Sequence, residues 1–128
     1  MSLGQKIRNR RLEKGLLPKD VAELIGVTED CLTLWENKHS KPLVAFYLKI
    51  IDFLDYFPFD IDTSALRGRI TYYRYMHGLT PKEFGLLVNA HPSVLAWEKG
   101  ESLPQRGRVL LVKAITAEVP SPFNYKNR

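Results

Sequence analysis

Apolar positions along the first half of the chain recur at helical spacing and are interrupted, every dozen residues or so, by residues that end helices. From Leu3 to Lys14 the pattern predicts a helix with Ile7 and Leu12 inward and Gln5, Lys6, Arg8 and Arg10 outward. Gly15 stops it, as glycine does past a helix C-terminus. Pro18 suits the first turn of a second helix, where its missing N–H would be unpaired in any case. That helix is predicted over Lys19 to Ile25, with Val21, Ala22, Leu24 and Ile25 as its buried side. Gly26-Val27 makes the turn. Thr28 then caps a third helix, Glu29 to Glu36, whose two leading acids favour the positive helix end. A polar loop from Asn37 to Pro42 leads to a fourth helix, Leu43 to Leu54, with Phe46, Ile50, Ile51, Phe53 and Leu54 as core candidates.

The same order of signals then returns. Gly15-Leu16-Leu17-Pro18-Lys19-Asp20 reappears as Gly78-Leu79-Thr80-Pro81-Lys82-Glu83, 63 residues on. Leu34-Trp35-Glu36-Asn37 reappears as Ala96-Trp97-Glu98-Lys99, 62 residues on. Helices are predicted over Ser64 to His77, Pro81 to Val88, Pro92 to Lys99 and Gln105 to Glu118. Two copies of one helical module account for this, with one residue lost between Val88 and Trp97. The expected fold is all-α, two tandem modules of about four helices each. The first occupies residues 1–54 and the second residues 64–118, with an apolar linker at 55–63 and an irregular tail at 119–128. Tyr56, Phe57, Phe59 and Ile61 make that linker too apolar for a free tether.

Composition narrows the class. With 128 residues, 45% hydrophobic and 26% charged, the chain is expected to fold rather than stay disordered. No apolar stretch approaches the roughly 20 residues of a membrane helix, and Met1-Ser2-Leu3-Gly4 carries no apolar signal region. A single cysteine, Cys31, excludes an intrachain disulfide and a Cys-rich zinc site. A cytoplasmic, nucleoid-associated location is expected. The net charge of +5 is unevenly placed: residues 1–63 balance to −1 and residues 64–128 to +6. A basic half suits a polyanion, or serves only as a solubilising excess.

Short helix, Gly-Leu, short helix with an inward Ala, Gly-Val turn, short helix ending in Trp-Glu, and a Pro-ended loop resemble the Xre/phage-repressor class of helix-turn-helix proteins. The resemblance runs from Ile7 to about Leu54 and again, one residue short, from Ile70 to about Ile115. The joint Ile50-Ile51-Asp52-Phe53-Leu54-Asp55-Tyr56-Phe57-Pro58-Phe59 is similar to that of tandem bacterial regulators of this class. The resemblance implies lambda-repressor-like modules and a structural ion pair from the first helix to the Glu after Trp, here Arg11–Glu36 and Arg74–Glu98. It also implies that the third helix enters the major groove with its N-terminal residues at base edges.

The positions so implicated are Thr28, Glu29, Asp30, Thr33 and Leu34 in the first module, and His91, Pro92, Ser93 and Ala96 in the second. The bidentate pairs of Arg with guanine and of Asn or Gln with adenine are missing from this set. Glu29 or Asp30 would accept from cytosine N4, or else only cap and solubilise their helix; His91 is a base contact or a turn residue. Pro18 and Pro81 stand where the family often carries a phosphate-binding Gln, and Lys19 and Lys82 follow them directly. Further phosphate candidates are Lys38, His39 and Lys41, then Lys99, Arg106 and Arg108.

The expected function is that of a DNA-binding transcriptional regulator using both modules on duplex DNA. The alternative is a protein-interaction or dimerisation module that keeps the scaffold and has lost sequence reading. A homodimer or a protein partner suits either; no membrane and no small-molecule ligand is expected. His39, His77 and His91 are scattered and the chain has no Gly-rich phosphate loop, so neither catalysis nor a metal or other cofactor is expected.

Overall fold

In the computed structural model, residues 1–88, 94–102 and 104–117 are described, with the backbone alone for Arg106. Every regular element among them is helical: α1 Leu3–Glu13, α2 Pro18–Ile25, α3 Glu29–Glu36, a 3-10 turn Val44–Phe46, α4 Tyr47–Leu54, α5 Leu66–His77, α6 Pro81–Leu87, α7 Val94–Glu98 and α8 Arg106–Ile115. None is long and apolar enough to cross a membrane. The chain divides into two units, Met1–Phe59 and Asp60–Arg128.

Local chemistry sets the helix ends. Ser2 opens α1 with a reciprocal box: its Oγ accepts the Gln5 N–H at 3.2 Å, and Gln5 Oε1 accepts the Ser2 N–H at 3.3 Å. At the far end Gly15 turns left-handed (φ 66°), so the Leu16 N–H folds back onto the Arg11 carbonyl at 3.0 Å. Gly78 does the same (φ 66°), with the Leu79 N–H on the Arg74 carbonyl at 2.9 Å. The ends of α3 and α7 also match. Lys38 (φ 64°) and Gly100 (φ 74°) are both left-handed, and the next N–H reaches back to Leu34 in one unit and Ala96 in the other.

Each unit closes its own core. Ile7, Val21, Ile25, Leu32, Trp35 and Ile50 are buried in the first; Ile70, Phe84, Val88, Val94, Trp97 and Val112, their counterparts, are buried in the second. Truncating such a residue to Ala costs about 2–5 kcal/mol. α1 also docks very close to α3: a Cβ added at Gly4 would fall 1.9 Å from the Trp35 carbonyl oxygen.

Several expectations are corrected. Leu12 and Leu24 are 57% and 59% exposed. Leu12 lies five residues from Ile7, about 140° round the helix, and Leu24 sits at the edge of the arc set by Val21, Ala22 and Ile25. Lys6 and Arg10 are not free surface charges: Lys6 Nζ donates to the Pro58 carbonyl at 2.7 Å, and Arg10 Nε to that of Phe53 at 3.4 Å. The first unit therefore extends past residue 54, and residues 55–59 are not a linker. Phe59 stacks on Tyr47 with centroids 4.9 Å apart, and Phe57 meets Phe59 edge-on at 5.3 Å. The fourth helix starts as a 3-10 turn after Pro42, with the Phe46 N–H on the Leu43 carbonyl at 3.0 Å. Ser64 is not in α5, because its N–H and hydroxyl both donate to Asp62 Oδ1. The expected starts at Pro92 and end at Glu118, and the tail 119–128, lie outside the described residues.

Candidate nucleic-acid interface

The third helix of the first unit is positioned by a fork of charge. Arg11 sits on α1 four residues before the glycine stop, and Glu36 ends α3. Arg11 Nε and Nη2 each reach one Glu36 carboxylate oxygen at 2.9 Å, while Nη1 donates to the Leu16 carbonyl at 3.1 Å. The hydrogen bonds to Glu36 raise the Arg11 pKa above its ordinary value, against the opposing effect of burial. One planar guanidinium thus ties α1, the Gly15 turn and the end of α3 together. The second unit repeats all three bonds: Arg74 Nε to Glu98 Oε2 at 3.0 Å, Nη2 to Oε1 at 2.8 Å, and Nη1 to the Leu79 carbonyl at 2.9 Å. Thr71 adds a hydroxyl to Glu98 Oε1 at 2.6 Å. Arg8 holds the Thr71 position in the first unit and is exposed.

With α3 so held, its inward face is Leu32, Trp35 and Glu36, and its outward positions are Glu29, Asp30, Thr33 and Leu34, all exposed. Gly26 (φ 90°) makes the turn before it. Thr28 caps it, its Oγ1 accepting the Cys31 N–H at 3.1 Å, and Thr33 Oγ1 donates to the Glu29 carbonyl at 3.0 Å. Both hydroxyls thus have local partners, and Glu29 and Asp30 stand at the positive helix end.

The cations are dispersed around this frame. Lys19 is exposed at the start of α2; Lys38, His39 and Lys41 are exposed in the loop after α3. Sequence reasoning missed Lys49. It is exposed on α4, and a Cβ added at Gly26 would lie 3.8 Å from its Nζ, so this charge stands beside the α2–α3 turn. Only the packing of α4 on α2 brings the two together, which no local spacing reveals.

In the second unit Lys82 and Lys99 are exposed and Ala96 is half-buried. Arg108 is half-buried and not a free charge: its Nη1 lies 3.5 Å from the Val88 carbonyl at the end of α6. His91, Pro92 and Ser93, and the Arg106 side chain, lie outside the described residues. α6 is one residue shorter than α2, and α7 is described from Val94. Leu86, Leu87 and Leu95 on α6 and α7 are 67%, 51% and 47% exposed. Among the described residues no three His, Cys, Asp or Glu side chains group as metal ligands. Compared with known protein families, curated proteins and solved structures, the chain matches none.

Proposed function

We propose that this protein is a transcriptional regulator that binds duplex DNA through helix-turn-helix modules of the Xre/phage-repressor type. The observation that supports this most is the α2–turn–α3 unit itself. An ion-paired fork fixes α3 from behind, so that its N-terminal half faces outward as a groove-entering helix must. Lys19, Lys38, Lys41 and Lys49 supply phosphate contacts around it, which position the protein and carry its affinity. The outward residues of α3 offer cytosine acceptors and small hydroxyls instead of Arg, Asn or Gln, so sequence preference is weak and salt sensitivity strong.

A salt titration tests this. The full chain should bind random-sequence duplex at low salt, its log affinity falling by roughly 0.9 per log unit of salt for each phosphate contacted. Replacing Lys19, Lys38, Lys41 and Lys49 by Ala should weaken binding on every sequence alike and flatten the slope. Absence of duplex binding by the parent at low salt overturns the proposal.

The exposed Leu86 and Leu95, where the first unit has Glu23 and Thr33, favour a second reading for the second unit. There the leucines on α6 and α7 suit a protein partner better than a phosphate backbone, although Lys82 and Glu83 are also exposed on α6. On that reading one unit contacts DNA and the other joins copies or binds another protein.

A further inference from the structure

Both units have a half-open pocket at the same place. In the first, the opening of α1, the end of α3 and the Pro-ended loop enclose a cavity of about 390 Å³. In the second, the corresponding segments enclose about 250 Å³. The walls match by position: Leu3, Trp35 and Pro42 in one, Leu66, Trp97 and Pro104 in the other.

The two niches obtain positive charge from different positions. In the second, Arg67 stands at the position of Gly4, and its Nη1 is so close to Gly100 that a Cβ there would fall 2.5 Å away. In the first, Gly4 has no side chain and can have none without striking the Trp35 carbonyl, and Lys38 stands at the position of Gly100. Lys38 is left-handed (φ 64°), a conformation that costs a non-glycine residue about 1–2 kcal/mol. The stop of α3 thus carries a lysine on the cavity wall where the twin unit has glycine. Lys41 adds a second ammonium, and among the described residues no carboxylate lines this cavity. Trp35, Tyr47 and Phe59 supply its aromatic walls, beside Leu3, Pro42 and the small residues Ser2, Gly4 and Ser40. Its volume falls within the range of small-molecule sites, roughly 300–1,000 Å³, and the second niche falls below it.

We propose that the cavity of the first unit binds a small organic anion, its flat apolar body against Trp35, Tyr47 and Phe59 and its carboxylate at Lys38 and Lys41. The sequence shows no sign of such a ligand, because Gly4, Trp35 and Phe59 meet only in the folded unit. The proposal does not depend on DNA binding and is tested without DNA.

The probe is naphthoate, titrated into the full chain and followed at the indole N–H resonances of Trp35 and Trp97. Trp35 should shift saturably with a midpoint near or below about 1 mM. The neutral isostere naphthamide should bind at least roughly tenfold more weakly, as expected when a charge-assisted pair is lost. The double variant Lys38→Gly, Lys41→Ala takes the residue of the twin unit at the strained position, which protects its fold. It should lose roughly tenfold in naphthoate affinity and none for naphthamide. Circular dichroism checks that its helix content equals that of the parent. No saturable shift of Trp35, equal binding of acid and amide, unchanged affinity in the double variant, or a response at Trp97 alone each overturns the proposal.

Discussion

Glu23, Thr33 and Lys49 are exposed on α2, α3 and α4 of the first unit; the same positions of the second unit hold Leu86, Leu95 and Leu111, also exposed. Beneath them a common frame persists. The guanidinium fork makes the same three bonds, α1 and α5 and likewise α3 and α7 stop on left-handed residues, and six core positions remain buried. The fork keeps the same residues in both units, because one guanidinium satisfies a carboxylate and a backbone carbonyl together. The outward positions carry no such constraint. Three of them are polar in the first unit and leucine in the second, while Leu24 and Leu48 are exposed in the first unit as Leu87 and Leu110 are in the second.

The shared frame should show the largest effects. Arg11→Ala and Arg74→Ala should each destabilise their unit by about 3–5 kcal/mol, since a buried carboxylate loses its partner. Glu98 keeps the Thr71 hydroxyl, so Arg74→Ala is expected to be the milder. Equal or reversed losses in denaturant titrations of the full chain would show that Thr71 contributes nothing.

Exchanging the left-handed residues sharpens the comparison at a smaller scale. Lys38→Gly should stabilise the first unit and Gly100→Lys should destabilise the second, each by up to about 1 kcal/mol, because only glycine adopts this conformation freely. Thermal melts that move in the same direction for both variants would contradict the assigned backbone geometry.

Making the second surface resemble the first tests what its leucines are for. Leu86→Glu, Leu95→Thr and Leu111→Lys should each change stability by no more than about 0.5 kcal/mol, as exposed substitutions do. If the apolar surface joins copies of the chain, sedimentation should show association of the parent and none of the triple variant. A parent that is monomeric throughout would remove self-association from the second reading.

The smallest effect concerns helix starts. Thr80 and Glu83 form a reciprocal cap on α6, whereas α2 begins at Leu17, which has no side-chain acceptor. The Thr80 backbone N–H, and secondly its hydroxyl, hold the Glu83 pKa below its ordinary 4.5. A depressed carboxylate pKa gives stability that is complete above the unfolded value and lost as pH falls through the folded one. Glu83→Gln should therefore melt slightly below the parent near neutral pH and converge with it under acid conditions. A gap that is unchanged by acid would assign the difference to packing.

Much of the frame was legible because its signals are local. Gly15 and Gly78 announce left-handed stops, Pro18 and Pro81 announce first turns, and the family resemblance placed Arg11 and Arg74 opposite Glu36 and Glu98. Leu12 and Leu24 were misplaced for the opposite reason: in helices of 11 and 8 residues a few apolar positions leave the angle of the buried face loosely determined. Phe59 looked like linker because its stacking partner Tyr47 lies 12 residues back, on α4. The charge of Lys49 beside Gly26 and the cavity behind Gly4 are products of tertiary approach, which no periodicity encodes.

The guanidinium fork also bears on the lifetime of the folded state. It joins residues only 25 apart in one unit and 24 in the other, so closing either loop costs nearly the same chain entropy. Units built from such short-range contacts fold quickly, on a microsecond to millisecond scale. A two-point hydrogen bond between a helix and the end of another needs both docked in register, so the fork is expected to complete late in folding. Interactions completed after the transition state slow unfolding and leave the folding rate almost unchanged. Arg11 and Arg74 therefore act chiefly on how long each unit stays folded, and loss of either shortens that residence far more than it delays its formation.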